Sequence, residues 1–136
     1  MAKKLKNRVD PDSALTLAKQ SEDHLREMMD ALKGAKAAID TMANGDGKTA
    51  YWSGTTAMKW YAASYKNIAN SYVRIANIAN SMSVICQYAI RVIKTDTDTD
   101  YYGYTPQTLA KVQGAIESVR KTAIKEAKAL ATNLEQ

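Results

Sequence analysis

The stretch from Ser53 to Lys94 constrains the fold most strongly, because its apolar residues recur at alternating steps of four and three without a break. Residues spaced in this way share one face of an α-helix. They are Tyr61, Tyr65, Ile68, Tyr72, Ile75, Ala79, Met82, Cys86, Ala89 and Ile93. Two apolar columns flank this seam, Ala62, Ala69 and Ala76 on one side and Ile78, Ile85 and Val92 on the other. Since one partner helix cannot cover so wide an arc, we predict that this helix lies at the centre of the structure.

An earlier amphipathic helix is predicted from about Pro11 to about Ala43. Asp10 is placed to cap it, and Pro11 suits the first helical position. Its heptad pattern indicates two seams that we interpret as core. The seams are Ala18, Leu25, Leu32 and Ile39, and Met28, Ala35 and Met42. The glycines of 44–47 should end this helix and reverse the chain, and Ser53 or Thr55 can cap the next one.

A third helix, 106–134, keeps the same three–four spacing and has a basic outer face, so we expect it to cover the central helix. The fold class is therefore all-α: an antiparallel helical hairpin plus a third long helix. It forms a three-helix bundle, or a four-helix bundle through dimerisation, and the third helix can pack within the chain or across a dimer. We expect residues 1–9 to form a flexible basic arm and 10–136 a single helical domain, with helices at about 11–43, 53–94 and 106–134. The heptads are the only internal repeat we identify.

Several functional classes lack the residues they need. With one cysteine, Cys86, and one histidine, His24, the chain has no disulfide framework and no metal-ligand set. Neither a nucleophile with a base nor a phosphate-cradling loop is present, so we predict that the protein is not an enzyme and needs no cofactor. The acidic loop 95–105 lacks the glycine and glutamate of an EF-hand, and we interpret it as a solvated turn.

The formal net charge is +5, and residues 51–94 carry five basic and no acidic side chains. These five do not share one face of the helix, so no nucleic-acid partner is expected. The basic start is not followed by the apolar stretch of a secretory signal peptide. No window approaches the length of a membrane span, and stable membrane insertion is not expected.

The tripeptide Trp52-Ser53-Gly54 lies in the connection of the predicted hairpin. Trp52 could simply plug the end of the core, with Gly54 permitting a tight entry into the helix. Alternatively, an aromatic side chain at a hairpin tip could contact another protein. Together with the following run 57–61, this helix, Trp-x-Gly and helix arrangement resembles the WXG (ESAT-like) family of small type VII secretion proteins. The resemblance covers about residues 10–95.

The resemblance implies a bacterial, ESX-like secretion-associated protein that binds partner helices as a homodimer or heterodimer. Such a protein is secreted without a signal peptide, or is cytoplasmic before export, and it contacts the secretion machinery. The partner would be a second WXG-type or an LXG-type helical protein. No tyrosine here has an acidic residue four positions later, as the Tyr-x-x-x-Asp/Glu export signal requires, and the third helix extends beyond the usual hairpin. Both departures favour a targeting partner or chaperone of a larger toxin.

On this interpretation, the hairpin tip and the central helix hold the partner-binding residues. They are Trp52, Gly54, Trp60, Tyr61, Tyr65, Ile68, Tyr72, Ile75, Ile78, Met82 and Ile85. The alternative is a structural or adaptor helical bundle unrelated to secretion, such as a phage or envelope component. In that case Trp52 would serve only for packing.

Overall fold

In the computed structural model, three long α-helices account for nearly all of the described chain, residues 9–95 and 105–134. They are α1 (Pro11–Asn44), α2 (Thr55–Thr95) and α3 (Thr105–Leu134), and no strand occurs in these two ranges. The predicted all-α fold and its three helices are confirmed. The largest difference from the predicted bounds is at the start of α2, at Thr55 rather than Ser53. The predicted basic arm and acidic loop lie almost entirely outside the described residues.

Both ends of α1 follow from local chemistry. At the start, the Asp10 carboxylate accepts the Asp12 backbone N–H at 3.2 Å and the Ser13 hydroxyl at 2.7 Å, which confirms the predicted cap. At the other end, the chain turns at Gly45, whose φ is +60°. A Cβ at that position would lie 1.8 Å from the Thr49 carbonyl oxygen. Only glycine therefore fits this turn without displacing backbone.

The core is built around α2, as predicted. Eight residues of its seam are buried, and Tyr65 and Met82 are partly buried. The largest helix–helix interface joins α2 to α3, so α3 packs within its own chain. The buried apolar side chains of α3 are Leu109, Val112, Ile116, Val119, Ala123, Ala127 and Leu130.

The packing of α1 differs from the prediction in one seam. Leu25 is buried and Leu32 is partly buried, as expected, but Met28 and Met42 remain more than 40% exposed. Met29 is buried instead. A two-seam heptad faces a single partner, whereas α1 contacts both α2 and α3, so its buried face is centred between them. The prediction that Met28, Ala35 and Met42 form a core seam is therefore wrong.

Candidate protein-binding surface

The hairpin tip is a short connection fixed by backbone hydrogen bonds. The N–H groups of Tyr51 and Trp52 both donate to the Met42 carbonyl oxygen, at 3.0 and 3.3 Å. Gly54 has a φ of +110°, and its carbonyl oxygen accepts the Met58 N–H at 3.0 Å. The chain thus enters α2 through a backbone conformation that side-chain-bearing residues rarely adopt.

Trp52 is held against α2 by two contacts with one residue. Its ring meets the Tyr61 ring edge-on, with centroids 5.7 Å apart and planes at 76°. The Tyr61 hydroxyl also donates a hydrogen bond to the Trp52 carbonyl oxygen. The side chain of Trp52 nevertheless remains 39% exposed. Trp52 therefore packs on the end of the core and presents part of its ring to solvent.

Just behind the tip, a polar contact fixes α1 against α2. The Tyr65 hydroxyl donates to the Asp40 carboxylate, whose other oxygen lies 2.8 Å from the Lys36 ammonium. Burial and then the Asp40 contact raise the pKa of Tyr65 to about 12. Burial alone would raise the pKa of Asp40, but the hydrogen bonds from Lys36 and Tyr65 lower it overall. The pair thus links α1 to α2 just behind the tip.

A line of exposed apolar side chains follows the junction of α1 and α2, and we call it the strip. Within each helix, all of its members except Tyr88 are separated by nearly whole numbers of turns, so they share one face. Tyr88 is included because it lines the same groove as Leu17 and Ile85. The strip consists of Leu17, Met28 and Met42 from α1 and Trp60, Ile78, Ile85 and Tyr88 from α2.

Concave surface marks both ends of the strip. At one end, Leu17, Ile85 and Tyr88 border a groove of about 340 Å³ whose lining also includes Met82 and Cys86. At the other end, Met42, Trp52 and Trp60 line a shallower depression of about 280 Å³. The strip therefore runs from the hairpin tip towards the opposite end of the hairpin.

The expected partner-binding residues divide into two groups in the structure. One group is exposed at the tip and on the strip, and it consists of Trp52, Gly54, Trp60, Ile78 and Ile85. The other group packs inside the chain, either buried or partly buried, and it consists of Tyr61, Tyr65, Ile68, Tyr72, Ile75 and Met82. This second group can meet a partner only if α1 or α3 moves away.

Sequence reasoning also missed a repeat that explains the exposure of Ile78. The pentapeptide Asn-Ile-Ala-Asn-Ser occurs at 67–71 and again at 77–81. The expectation that the heptads are the only repeat is therefore wrong. A spacing of ten residues falls about 80° short of three full helical turns, so the two copies face different directions. As a result Ile68 is 6% exposed in the core, whereas Ile78 is 40% exposed on the strip.

The chemistry of this surface is apolar rather than ionic. Burial raises the pKa of the Cys86 thiol in the groove floor.

Within residues 9–95 and 105–134, no group of three His, Cys, Asp or Glu side chains could hold a metal ion. None of the three described helices has the length and apolar character needed to cross a bilayer. The exposed side chains are of the kind that pack against another protein.

Comparisons of the chain with protein families, with curated proteins and with solved structures find no match.

Proposed function

We propose that this protein is a non-enzymatic, type VII (ESX-like) secretion-associated protein that binds partner helices. It acts as a secreted WXG-type protein or as the targeting partner or chaperone of a larger toxin. The observation that carries this proposal is the strip. Its seven large apolar side chains remain exposed even though α3 packs against the hairpin. The resemblance of Trp52-Ser53-Gly54 and its flanking helices to the WXG family supplies the secretion context.

The geometry of the strip suits helices. Two antiparallel helices with an apolar junction can accept one or two further helices, which completes a bundle of four. Methionine and aromatic side chains adapt to a partner's shape and bury a large area. The partner in this proposal is therefore a helical hairpin of the WXG or LXG type, or a second copy of this chain.

The free energy gained by burying the strip indicates which residues contribute most to partner binding. Covering an apolar side chain that is about half exposed contributes on the order of 1 kcal/mol, so the strip supplies roughly 7 kcal/mol. Association itself costs about 4–15 kcal/mol, so the strip alone gives only weak binding. The aromatic tip must then add affinity, and Trp52 and Trp60 are the side chains of the class that dominates interfaces. This gives Trp52 a recognition role besides its packing role.

The test is affinity capture of the tagged full-length chain from its native host, with cells and culture medium analysed separately by mass spectrometry. The strip variant is Ile85→Lys. The matched control is Ala37→Lys, because Ala37 is exposed and lies nine residues, or two and a half helical turns, from Met28, on the opposite side of α1 from the strip. Both variants add one positive charge to an exposed helical position.

The wild-type and Ala37→Lys proteins should recover a second WXG-type or LXG-type polypeptide, and Ile85→Lys should lose it. Equal recovery by all three proteins would refute the strip as the binding surface. Capture of phage or envelope components instead would favour the adaptor alternative. Recovery of the wild-type chain alone, from cells only, would contradict a secretion partner.

A further inference from the structure

On the side of α2 away from the strip, we propose that a second surface, the groove between α2 and α3, binds an acidic amphipathic helix of another protein. The groove has a volume of about 510 Å³. Its α2 wall consists of Val73, Ala76, Asn77 and Asn80, and its α3 wall of Arg120, Ile124, Ala127 and Lys128. This inference does not depend on the secretion assignment.

The α2 side of the groove carries a coiled-coil spacing of its own, which we call the outer seam. Its members recur at steps of four and three, with one final step of seven, and all are exposed. They are Lys66, Asn70, Val73, Asn77, Asn80, Val84 and Arg91. Such spacing presents side chains to a helix that runs alongside α2, over a length of about 38 Å.

The composition of the outer seam specifies what the partner presents. Val73 is 45% exposed, and with Ile124 it offers an apolar contact on the groove wall. Asn77 and Asn80 are neutral amides that need hydrogen-bond partners once they are covered. A helix with apolar residues on its seam and carboxylate or amide groups beside them satisfies both requirements.

The basic side chains of α3 indicate the charge that the partner should carry. Lys121, Lys125 and Lys128 lie at positions i, i+4 and i+7, so they form a ridge along one face of α3, and all three are exposed. In residues 51–95 and 105–134 the chain has ten basic and two acidic side chains, whereas α1 with its cap Asp10 has four basic and seven acidic ones. An acidic helix is therefore attracted to the α2–α3 side and repelled from α1.

The groove favours a protein helix over a nucleic acid. No aromatic side chain lines it for stacking against bases. Its one arginine, Arg120, already pairs with Glu117 at 2.9 Å, and that contact lowers the pKa of Glu117. Aliphatic and amide side chains make up most of the remaining lining, and these match a helix seam better than a phosphate backbone.

Two synthetic coiled-coil peptides of about 28 residues, long enough to span the outer seam, serve as probes. They share one Leu/Val seam, but one carries glutamates at its flanking positions and the other carries lysines. Binding of each labelled peptide to the full-length chain is measured by fluorescence anisotropy at low and at moderate salt. The ridge variants are Lys128→Glu, at the ridge residue that lines the groove, and Lys125→Glu beside it. Lys33→Glu is the matched control, because it makes the same charge change on the exposed surface of α1, which contributes no residue to the groove.

We expect the glutamate-flanked peptide to bind at least about tenfold more tightly than the lysine-flanked one. Each ridge variant should weaken it about tenfold, equivalent to about 1.4 kcal/mol, while Lys33→Glu should change the affinity less than about twofold. Circular dichroism verifies that the variants keep the helicity of the wild type.

Four results would each overturn the proposal. Equal binding of the two peptides would mean that the groove has no charge preference. Equal effects of Lys33→Glu and Lys125→Glu would mean that only net charge matters. Tighter binding of a duplex DNA probe, with a steep salt dependence, would identify a nucleic-acid surface. Self-association that Lys125→Glu abolishes in analytical ultracentrifugation would make a second copy of the chain the occupant.

Discussion

The repeated pentapeptide offers a controlled test of how helix phase decides burial. Ile68 and Ile78 lie in identical Asn-Ile-Ala-Asn-Ser segments of the same helix, yet Ile68 is 6% exposed and Ile78 is 40% exposed. Replacing either one with alanine changes the intrinsic helix propensity by the same few tenths of a kcal/mol, so that contribution cancels in the comparison. The difference between the variants then reports tertiary packing alone.

The expected magnitudes follow from burial. Ile68→Ala removes a core side chain and leaves a cavity, so we expect a loss of about 3 kcal/mol in the free energy of unfolding. Ile78→Ala removes a side chain that is already partly in water, and solvent fills the space, so we expect a loss of about 1 kcal/mol. For a chain of this size, the difference of about 2 kcal/mol corresponds to about 6–10 °C in Tm.

Urea unfolding followed by circular dichroism, at low protein concentration and without a partner, measures both values. Equal losses from the two variants would refute the assignment of helix phase, because they would place both isoleucines in similar surroundings. A loss at Ile78 that grows with protein concentration would instead mean that a second copy covers this residue. Leu25→Ala, at a buried position of α1, serves as an independent core reference.

Two further predictions concern the hairpin end of the molecule. Gly45→Ala should lower the free energy of unfolding by about 2 kcal/mol or more in the same urea assay. The positive φ at this position strains any residue with a Cβ, and the added carbon would meet backbone atoms. A loss below about 0.5 kcal/mol would contradict this prediction. For Tyr65, a folded-state pKa of about 12 exceeds the ordinary value of 10, so its stabilising contribution is complete below pH 10 and is lost as the pH rises towards 12. Tyr65→Phe should therefore differ most from the wild type near neutral pH and converge with it above pH 12, and a constant difference across this range would refute the assignment.

Most of the fold could be predicted from the sequence because the period of the apolar residues is itself a physical constraint. The α2 seam lacks gaps, so its phase is unambiguous, and the capping residue Asp10 and the turn residue Gly45 act locally. Local chemistry of this kind does not depend on distant parts of the chain. These are the features that the structure confirms.

The errors share a different cause, since they depend on how many neighbours a helix has. Met28 and Met42 match a heptad, but the heptad describes contact with a single partner, and α1 meets two. Similarly, the exposure of Ile85 depends on the side from which α3 approaches α2, which a pattern within α2 does not encode. The strip could therefore be recognised only once the three helices were placed together, although four of its residues, Met28, Met42, Ile78 and Ile85, belong to apolar columns in the sequence.

The double contact between Tyr61 and Trp52 determines how much freedom remains at the hairpin tip. A large aromatic side chain in a loop ordinarily loses conformational entropy when a partner immobilises it. Here the edge-on ring contact and the hydrogen bond to the Trp52 carbonyl oxygen already restrict Trp52 in the folded protein. This conformational entropy is therefore lost during folding and not when a partner binds. The tip is thus preorganised, and its orientation is fixed by Tyr61 in the second turn of α2. A partner would meet a rigid indole surface, and rigidity of this kind slows dissociation more than it speeds association.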